Sequence, residues 1–309
     1  MTMRLLIAVA LMSTVGSRDT VRLRPVLHVC ADSTRLTVEP AVPMPGAVFL
    51  VRLSNVASGT QLAGEVARQA LHFVPESGGG AVSFAAVPIE TDSSAIEIAV
   101  RCSQGEVVDT LRARVALGRA NYPVERLRVA PAFGREPDST IVARTRRESE
   151  RAREVAEISH ATPGLWQGPW QLPRVSRITS GFGRGREYNG TITSRHMGTD
   201  FAGATGAVVR AANRGVVRIV DAFYYGGNVV YVDHGGGLTS AYLHLSRQAV
   251  AVGDTVERGA TLGAVGATGR VTGPHLHLIL RYGTVTVDPL SLFAVAGDSS
   301  ARRVAGTTR

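Results

Sequence analysis

Apolar and polar residues alternate in short runs over the first third of the chain. Residues 35–39, 47–53 and 95–101 are such runs, and the cluster Ser-Gly-Gly-Gly at 77–80 is one of the turns that separate them. A period of two is typical of β-strands with one buried face. We therefore predict a mainly β protein in which residues 18–120 form an antiparallel β-sandwich of immunoglobulin type.

A charged segment, residues 121–165, follows the predicted sandwich as a linker. It begins with an extended connector and continues into a helix that Asp138 and Ser139 can cap and that runs to about Ser159. Arginine and glutamate residues three and four positions apart support this helix. Its expected apolar stripe is thin and consists of Ile141, Val142, Val155 and Ile158.

A second domain is predicted over residues 166–293. Strand-like runs and glycine turns alternate densely from residue 178 to residue 293, and no helical period longer than two turns is present there. This pattern predicts a compact antiparallel β domain. Residues 294–309 are small, polar and basic, and we predict a disordered tail.

The N-terminus has the pattern of a secretory signal peptide over residues 1–17. Arg4 precedes the apolar run 5–12, and small residues lead to a cleavage site after Ser17. A membrane-spanning helix needs about 20 apolar residues, so this run is too short to span. No other stretch predicts a span. We expect an exported protein, either periplasmic or secreted.

The two cysteines and the net charge fit an exported protein. An even pair, Cys30 and Cys102, favours one disulfide, with two free thiols as the alternative. The formal charge is +9, and all 34 basic residues are arginine. Such a charge suits an anionic envelope polymer or nucleic acid. We predict no nucleic-acid partner, because the sequence has no nucleic-acid motif and no interleaving of aromatic and basic residues.

Five of the eight histidines lie between His196 and His277. His196 and Asp200 are four residues apart, which lets one loop present both to a single point. His275 and His277 are two apart, so a strand places them on one face. His244 lies in an alternating run between these two motifs. A catalytic zinc site needs three protein ligands and an open position, and this cluster offers up to five groups.

Several ordered motifs carry a resemblance to a known family. They are Ser180-Gly-Phe-Gly183, His196-Met-Gly-Thr-Asp200, Tyr242-x-His-Leu245 and Gly266-x-x-Gly-x-x-Thr-Gly-Pro-His-Leu-His277. With them, residues 166–293 closely resemble the lysostaphin/LytM-type zinc metalloendopeptidases. The upstream sandwich and charged helix also resemble the layout of Gram-negative envelope members.

The resemblance implies a role for each residue of the histidine cluster. His196, Asp200 and His277 would bind one Zn²⁺ per chain. His244 and His275 would be the catalytic histidines, one taking the proton of the attacking water and the other assisting at the carbonyl oxygen or the leaving amine. Their assignment to these two roles stays open.

Other residues near the cluster have more than one interpretation. Arg186 and Asn189 precede the first predicted ligand and would contact substrate or hold the loop structure. His234, before three glycines, is expected to have a structural role. Tyr242 is expected to pack on the same strand face as His244.

The resemblance implies hydrolysis of peptide bonds in peptidoglycan, in stem peptides or cross-links. One alternative is a non-catalytic regulator of a cell-wall amidase, although such members usually lack zinc ligands and all three positions are present here. Another is a protease acting on proteins or on the walls of other bacteria. The domain order further suggests that the sandwich or the Arg-rich helix lies across the groove and lowers activity. The oligomeric state is not predicted.

Overall fold

The computed structural model describes residue 30 and residues 33–133, 137–190 and 192–307. The predicted signal peptide, residues 1–17, lies outside this part of the chain. Two β regions are joined by a linker that contains one long helix. No helix within the described residues is both long and apolar enough to cross a membrane.

The first β region is a sandwich of two four-stranded antiparallel sheets, with strand orders β1-β2-β6-β5 and β4-β3-β7-β8. The alternating residues of both sheets bury their apolar side chains in one core. The predicted β-sandwich is confirmed, and its immunoglobulin type stays a prediction. The strands are β1 (Arg35–Glu39), β2 (Val48–Ser54), β3 (Gln61–Val66), β4 (Gln69–Leu71), β5 (Val74–Glu76), β6 (Gly80–Ala86), β7 (Ala95–Gln104) and β8 (Val107–Ala116).

A disulfide joins Cys30 to Cys102 on β7, with Cα atoms 5.7 Å apart. The bridge closes a sequence separation of 72 residues and attaches the start of the described chain to the sandwich. Of the two alternatives for the cysteines, the structure shows the pair.

The linker contains strand β9 (Val124–Leu127), a 3₁₀ turn at Pro131–Phe133 and helix α1 (Ser139–Ala161). Asp138 caps the helix, since its Oδ1 accepts a hydrogen bond of 2.9 Å from the Ile141 amide. The predicted helix and its cap are therefore confirmed.

The buried face of α1 differs from the predicted stripe. Val142 and Ile158 are 50% and 48% exposed, whereas Ala152, Val155 and Ala156 are buried. Val142 and Ile158 lie on the exposed side of α1, whereas Ala152 and Val155 pack against apolar residues of the second β region.

The second β region is a ten-stranded sheet whose main path runs β10-β13-β20-β17-β16-β15-β18. Strand β14 pairs with β19, β19 also pairs with β17, and β21 pairs with β20. The ten strands of this sheet are β10 (Ile178–Ser180), β13 (Thr199–Ala202), β14 (Val208–Arg210), β15 (Gly215–Phe223), β16 (Gly227–Gly235), β17 (Leu238–Gln248), β18 (Thr255–Val256), β19 (Thr261–Val265), β20 (His275–Tyr282) and β21 (Val285–Val287). Two further strands of the region, β11 (Gly185–Tyr188) and β12 (Ile192–Arg195), lie outside it.

Strands β11 and β12 form a separate hairpin that β9 of the linker extends. β9 pairs in parallel with β11, placing Glu125 beside Arg186. The linker is thus part of the fold of the second region. The two β regions also share one apolar core, in which Leu50 and Phe84 of the sandwich cluster with Leu280.

The prediction of a disordered tail from residue 294 is wrong. Helices α2 (Pro289–Ala296) and α3 (Ser299–Thr307) occupy this segment. Ala301 and Ala305 lie one helical turn apart, are 0% and 1% exposed, and pack into the shared core. Small apolar residues at this spacing form a helix face, which composition alone does not reveal.

Candidate metal centre

His196, Asp200 and His277 converge on one point of the second β region. The His196 Nε2 atom lies 3.0 Å from Asp200 Oδ1 and 3.0 Å from His277 Nδ1. The His277 Nδ1 atom lies 2.7 Å from Asp200 Oδ1. All three side chains are buried, and together they could hold a metal ion.

Strand pairing explains why these residues meet. Asp200 on β13 lies directly opposite His277 on β20, and cross-strand neighbours share a face. His275 stands two residues from His277 and pairs with Ala202, so it follows on the same face. His196 comes just before β13, where its amide donates to the Arg184 carbonyl oxygen at 2.7 Å.

The donor atoms suit a small divalent cation. His196 Nδ1 donates to the Gly181 carbonyl oxygen at 2.8 Å, which leaves the Nε2 lone pair facing the cluster. Zinc with tetrahedral bonds of about 2.0–2.1 Å holds its ligand atoms about 3.3 Å apart, close to the spacing seen here. Two imidazoles and one carboxylate also form a typical ligand set for this ion. The residues therefore fit zinc.

Burial and mutual contact control the protonation of these groups. Burial alone would raise the pKa of the Asp200 carboxyl, but the hydrogen bonds with His196 and His277 hold it well below its usual range. Burial lowers the pKa of His277 to about 4, although Asp200 opposes the shift. The carboxylate is thus charged and the His277 imidazole neutral near pH 7, as ligation requires.

His244 and His275 stand beside the cluster. The His275 Nε2 atom lies 3.6 Å from Asp200 Oδ1. The His244 ring lies 4.9 Å from the His275 ring and 5.7 Å from the His277 ring, measured between centroids. The structure therefore brings together all five groups that the sequence singles out.

A bulge in β17 turns His244 toward this site. Leu243 pairs with His277, so regular alternation would point His244 to the opposite face. The register shifts here, and His244 has a φ of 63°, in the left-handed region. Tyr242 stays in the core, where its hydroxyl accepts from the Ala212 amide at 2.9 Å. The expectation that Tyr242 and His244 share a face is therefore wrong, while the packing role of Tyr242 is confirmed.

Both additional histidines have one nitrogen fixed by a main-chain carbonyl. His244 Nδ1 donates to Thr268 O and His275 Nδ1 donates to Gly273 O, each at 2.8 Å. In the neutral rings the Nε2 atoms are therefore free to accept a proton. Burial, together with the nearby His277 and His275, lowers the pKa of His244 to about 3.

A second layer of polar groups supports two of the three candidate ligands, Asp200 and His196. Arg186 donates from Nη2 to Asp200 Oδ2 at 2.7 Å. Ser180 lies 3.1 Å from His196 Nδ1, and its hydroxyl donates to Glu125 Oε2 at 2.9 Å. Arg184 forms an ion pair of 3.1 Å with the same carboxylate. Glu125 of the linker thus connects to a candidate ligand through Ser180, a role that its position in a linker did not indicate.

Asn189 makes the loop-structure contact that was one of its two predicted roles, and its contact with substrate stays a prediction. Its side-chain amide forms two hydrogen bonds with the main chain of Val129, at 3.1 and 3.2 Å, and so holds the linker against the hairpin. His234 is also structural, as predicted. It is fully buried between the Arg214 carbonyl oxygen and the Ser240 hydroxyl, each 2.8 Å away.

A cavity of about 510 Å³ opens beside the cluster. Asp200 and His275 lie in its wall, together with Arg186, and Glu125 brings the linker to its rim. The cluster is therefore accessible to a ligand from this side.

Residues 194–289 match the model of peptidase family M23. This segment of the chain is similar to that family. The match includes every residue of the histidine cluster, from His196 to His277, so the candidate metal centre lies within the M23 domain.

Two curated relatives have peptidoglycan-directed names. Peptidoglycan DD-endopeptidase ShyC of Vibrio cholerae is 42% identical over 103 residues, which are 33% of this chain and 24% of that protein. Peptidoglycan DD-endopeptidase ShyA of the same organism is 44% identical over 110 residues, 34% of this chain and 25% of that protein. The chain thus spans about a quarter of the length of these relatives.

A solved structure extends the likeness beyond the M23 domain. A Pseudomonas aeruginosa protein assigned to peptidase M23 is 25% identical, with a TM-score of 0.63. The alignment covers 81% of this chain and 94% of that one, so the region upstream of the M23 domain shares its fold.

Proposed function

We propose that this chain is an exported zinc metalloendopeptidase that hydrolyses peptide bonds in peptidoglycan, in stem peptides or cross-links. The convergence of His196, Asp200 and His277, with His244 and His275 beside them, carries this proposal. The names of the curated relatives support peptidoglycan as the substrate. The net charge of +9 also suits an anionic wall polymer.

The three ligands would bind one zinc ion and leave a coordination position open toward the cavity. Bound there, the ion would supply Lewis acidity for the scissile carbonyl and lower the pKa of water. Arg186 orients Asp200 through its second carboxylate oxygen, while the Gly181 carbonyl oxygen orients His196.

His244 and His275 would perform the proton transfers. Each ring has its Nδ1 proton committed to a carbonyl oxygen, so its Nε2 atom is free to act. One histidine would take a proton from the attacking water, and the other would stabilise the carbonyl oxygen or protonate the leaving amine. The hydrogen bonds to these main-chain carbonyl oxygens hold the buried His244 ring and the partly buried His275 ring in place.

Digestion of intact peptidoglycan tests the proposal. Zinc-loaded protein beginning at Arg18 is expected to convert cross-linked muropeptides to monomers, and a chelated sample is expected to leave them intact. Mass analysis of the products identifies the bond. Absence of turnover by the zinc-loaded full chain would contradict the proposal and favour the amidase regulator.

Glu125→Ala is expected to weaken zinc affinity by about tenfold or more, the usual effect of losing an outer support of a metal ligand. The substitution removes the carboxylate that Ser180 and Arg184 contact, and so loosens the surroundings of His196. Competition with a chromophoric chelator measures the affinity without relying on activity.

Glu187→Ala provides the matched control. Glu187 lies on the β11 strand of the same hairpin, but its carboxylate contacts Arg126, at 3.3 Å, and not a candidate ligand. The control should retain the affinity of the unmodified protein. Equal affinities for the Glu125 and Glu187 variants would contradict the supporting role of Glu125.

We further propose that helix α1 restricts the access of substrate to the sheet face that carries the metal centre. Leu243 pairs with His277, and Ile279 lies two residues beyond it, so both share the sheet face of the metal centre. Val155 of α1 packs in the same apolar cluster as Leu243 and Ile279. A substrate laid along this face would therefore meet the helix.

Val155→Asp is expected to raise the rate of peptidoglycan cleavage by about tenfold, which corresponds to shifting the docking equilibrium of α1 by about 1.4 kcal/mol. An unpaired carboxylate is costly in the apolar contact that Val155 now makes. Val142→Asp on the same helix is the control, since Val142 is 50% exposed. Equal rates for the two variants would contradict restriction by α1.

A further inference from the structure

Arg270 lies between two tyrosine rings at the edge of the cavity. Its Cζ atom is 4.2 Å from the ring centroid of Tyr188 and 4.2 Å from that of Tyr225. Its amide donates to the Tyr225 carbonyl oxygen at 2.9 Å. Rings on both faces hold a guanidinium in one plane and leave its N–H groups directed outward from the edge.

The other arginines of this cavity differ from Arg270 in their partners. Arg186 is paired with Asp200 at 2.7 Å, and Arg126 with Glu187 at 3.3 Å. Within the described residues, no carboxylate or carbonyl oxygen accepts a hydrogen bond from the Arg270 guanidinium. The cavity therefore contains a fixed cation whose donors have no acceptor in the described chain.

The position of Arg270 places this cation in the path of a substrate. Arg270, Tyr188, Asp200 and His275 all line the same cavity of about 510 Å³. A substrate whose scissile bond reaches the metal centre would therefore extend past the Arg270 guanidinium.

We propose that Arg270 is a specificity-determining residue that binds a free carboxylate of the substrate peptide. A carboxylate is planar and can accept two parallel N–H bonds from a guanidinium edge. The stacked rings fix that edge before the substrate arrives, so little side-chain freedom is lost on binding. This inference rests on the proposed function, since it assigns a substrate-binding subsite to the cavity beside the proposed metal centre.

A set of matched peptides tests the proposal. Each peptide contains the cleavable bond and carries a terminal and a side-chain carboxylate, either both free or one of the two converted to its amide. Cleavage by the zinc-loaded full chain gives kcat and KM. Fluorescence anisotropy of labelled peptides with the metal-free protein gives binding without turnover, so the subsite is tested even if no cleavage occurs.

The unmodified protein is expected to prefer the free carboxylate over one of the amides by about tenfold or more, the size of a charge-assisted hydrogen-bonded contact. Arg270→Gln should abolish this preference through KM and binding. Arg270→Lys should retain part of it, because it keeps the charge and loses the planar fork. The amidated peptide that binds the unmodified protein more weakly identifies which carboxylate Arg270 binds.

Arg247→Gln is the matched control, since it removes one positive charge from an exposed residue outside the cavity lining. It should keep the full preference. If Arg270 only packs between the two tyrosine rings, Arg270→Gln should lower the rates on all peptides alike. The ratio of rates between free-carboxylate and amidated peptides would then stay unchanged, and this result would overturn the proposal. Absence of any preference in the unmodified protein would also overturn it. If no peptide is cleaved but binding still discriminates, the proposed function fails while the Arg270 subsite stands.

Discussion

His277→Ala is expected to remove stoichiometric zinc binding and to lower the cleavage rate by at least about a thousandfold. Only two of three ligands remain, and the Lewis acidity of a catalytic metal contributes several kcal/mol to the transition state. His277 directly faces Asp200 across two strands, with their nearest ligand atoms 2.7 Å apart, so the substitution removes a donor from the centre of the site.

Zinc content after dialysis and the rate on cross-linked muropeptides measure both effects. The variant should behave like chelated unmodified protein, and circular dichroism should show that it remains folded. A folded His277→Ala protein that retains one zinc per chain and a normal rate would refute the ligand assignment.

His244→Ala and His275→Ala are each expected to lower kcat by about 10²–10⁴-fold, the usual contribution of a positioned acid or base. Neither residue is among the three proposed ligands, so both variants should keep one zinc per chain. This combination separates proton transfer from metal binding, because His277→Ala is expected to lose both zinc and activity.

Rates and zinc content for the two single variants and the double variant are the required measurements. If the histidines act in one transition state, the double variant should lose less activity than the product of the single losses predicts. Rates within about threefold of the unmodified protein, at full zinc content, would contradict a direct chemical role.

Much of the site could be predicted from spacing and resemblance. The two-residue separation of His275 and His277 places both on one strand face, and the structure shows this. The resemblance implied that His196 and Asp200 join His277, and these side chains do converge. The sandwich and the helix cap at Asp138 followed from alternation and from cap chemistry.

Other features depend on tertiary contacts that no local pattern encodes. His244 reaches the site through a bulge and a left-handed φ, against the regular alternation of its strand. Glu125 supports a candidate ligand only because β9 pairs with a hairpin 61 residues further along the chain, as in the pairing of Glu125 with Arg186. The burial of Ala152 in place of Val142 likewise depends on which side of α1 faces the sheet.

Cleavage of a purified cross-linked muropeptide dimer in ¹⁸O-labelled water tests the central claim most directly. Zinc-loaded protein is expected to yield monomers with one ¹⁸O atom in the newly formed carboxyl group and a new free amine on the other product. Chelated protein and His277→Ala should leave the dimer intact. A dimer unchanged by zinc-loaded full chain and Val155→Asp, under conditions in which the protein stimulates a separate amidase, would contradict an enzymatic role and indicate a regulator.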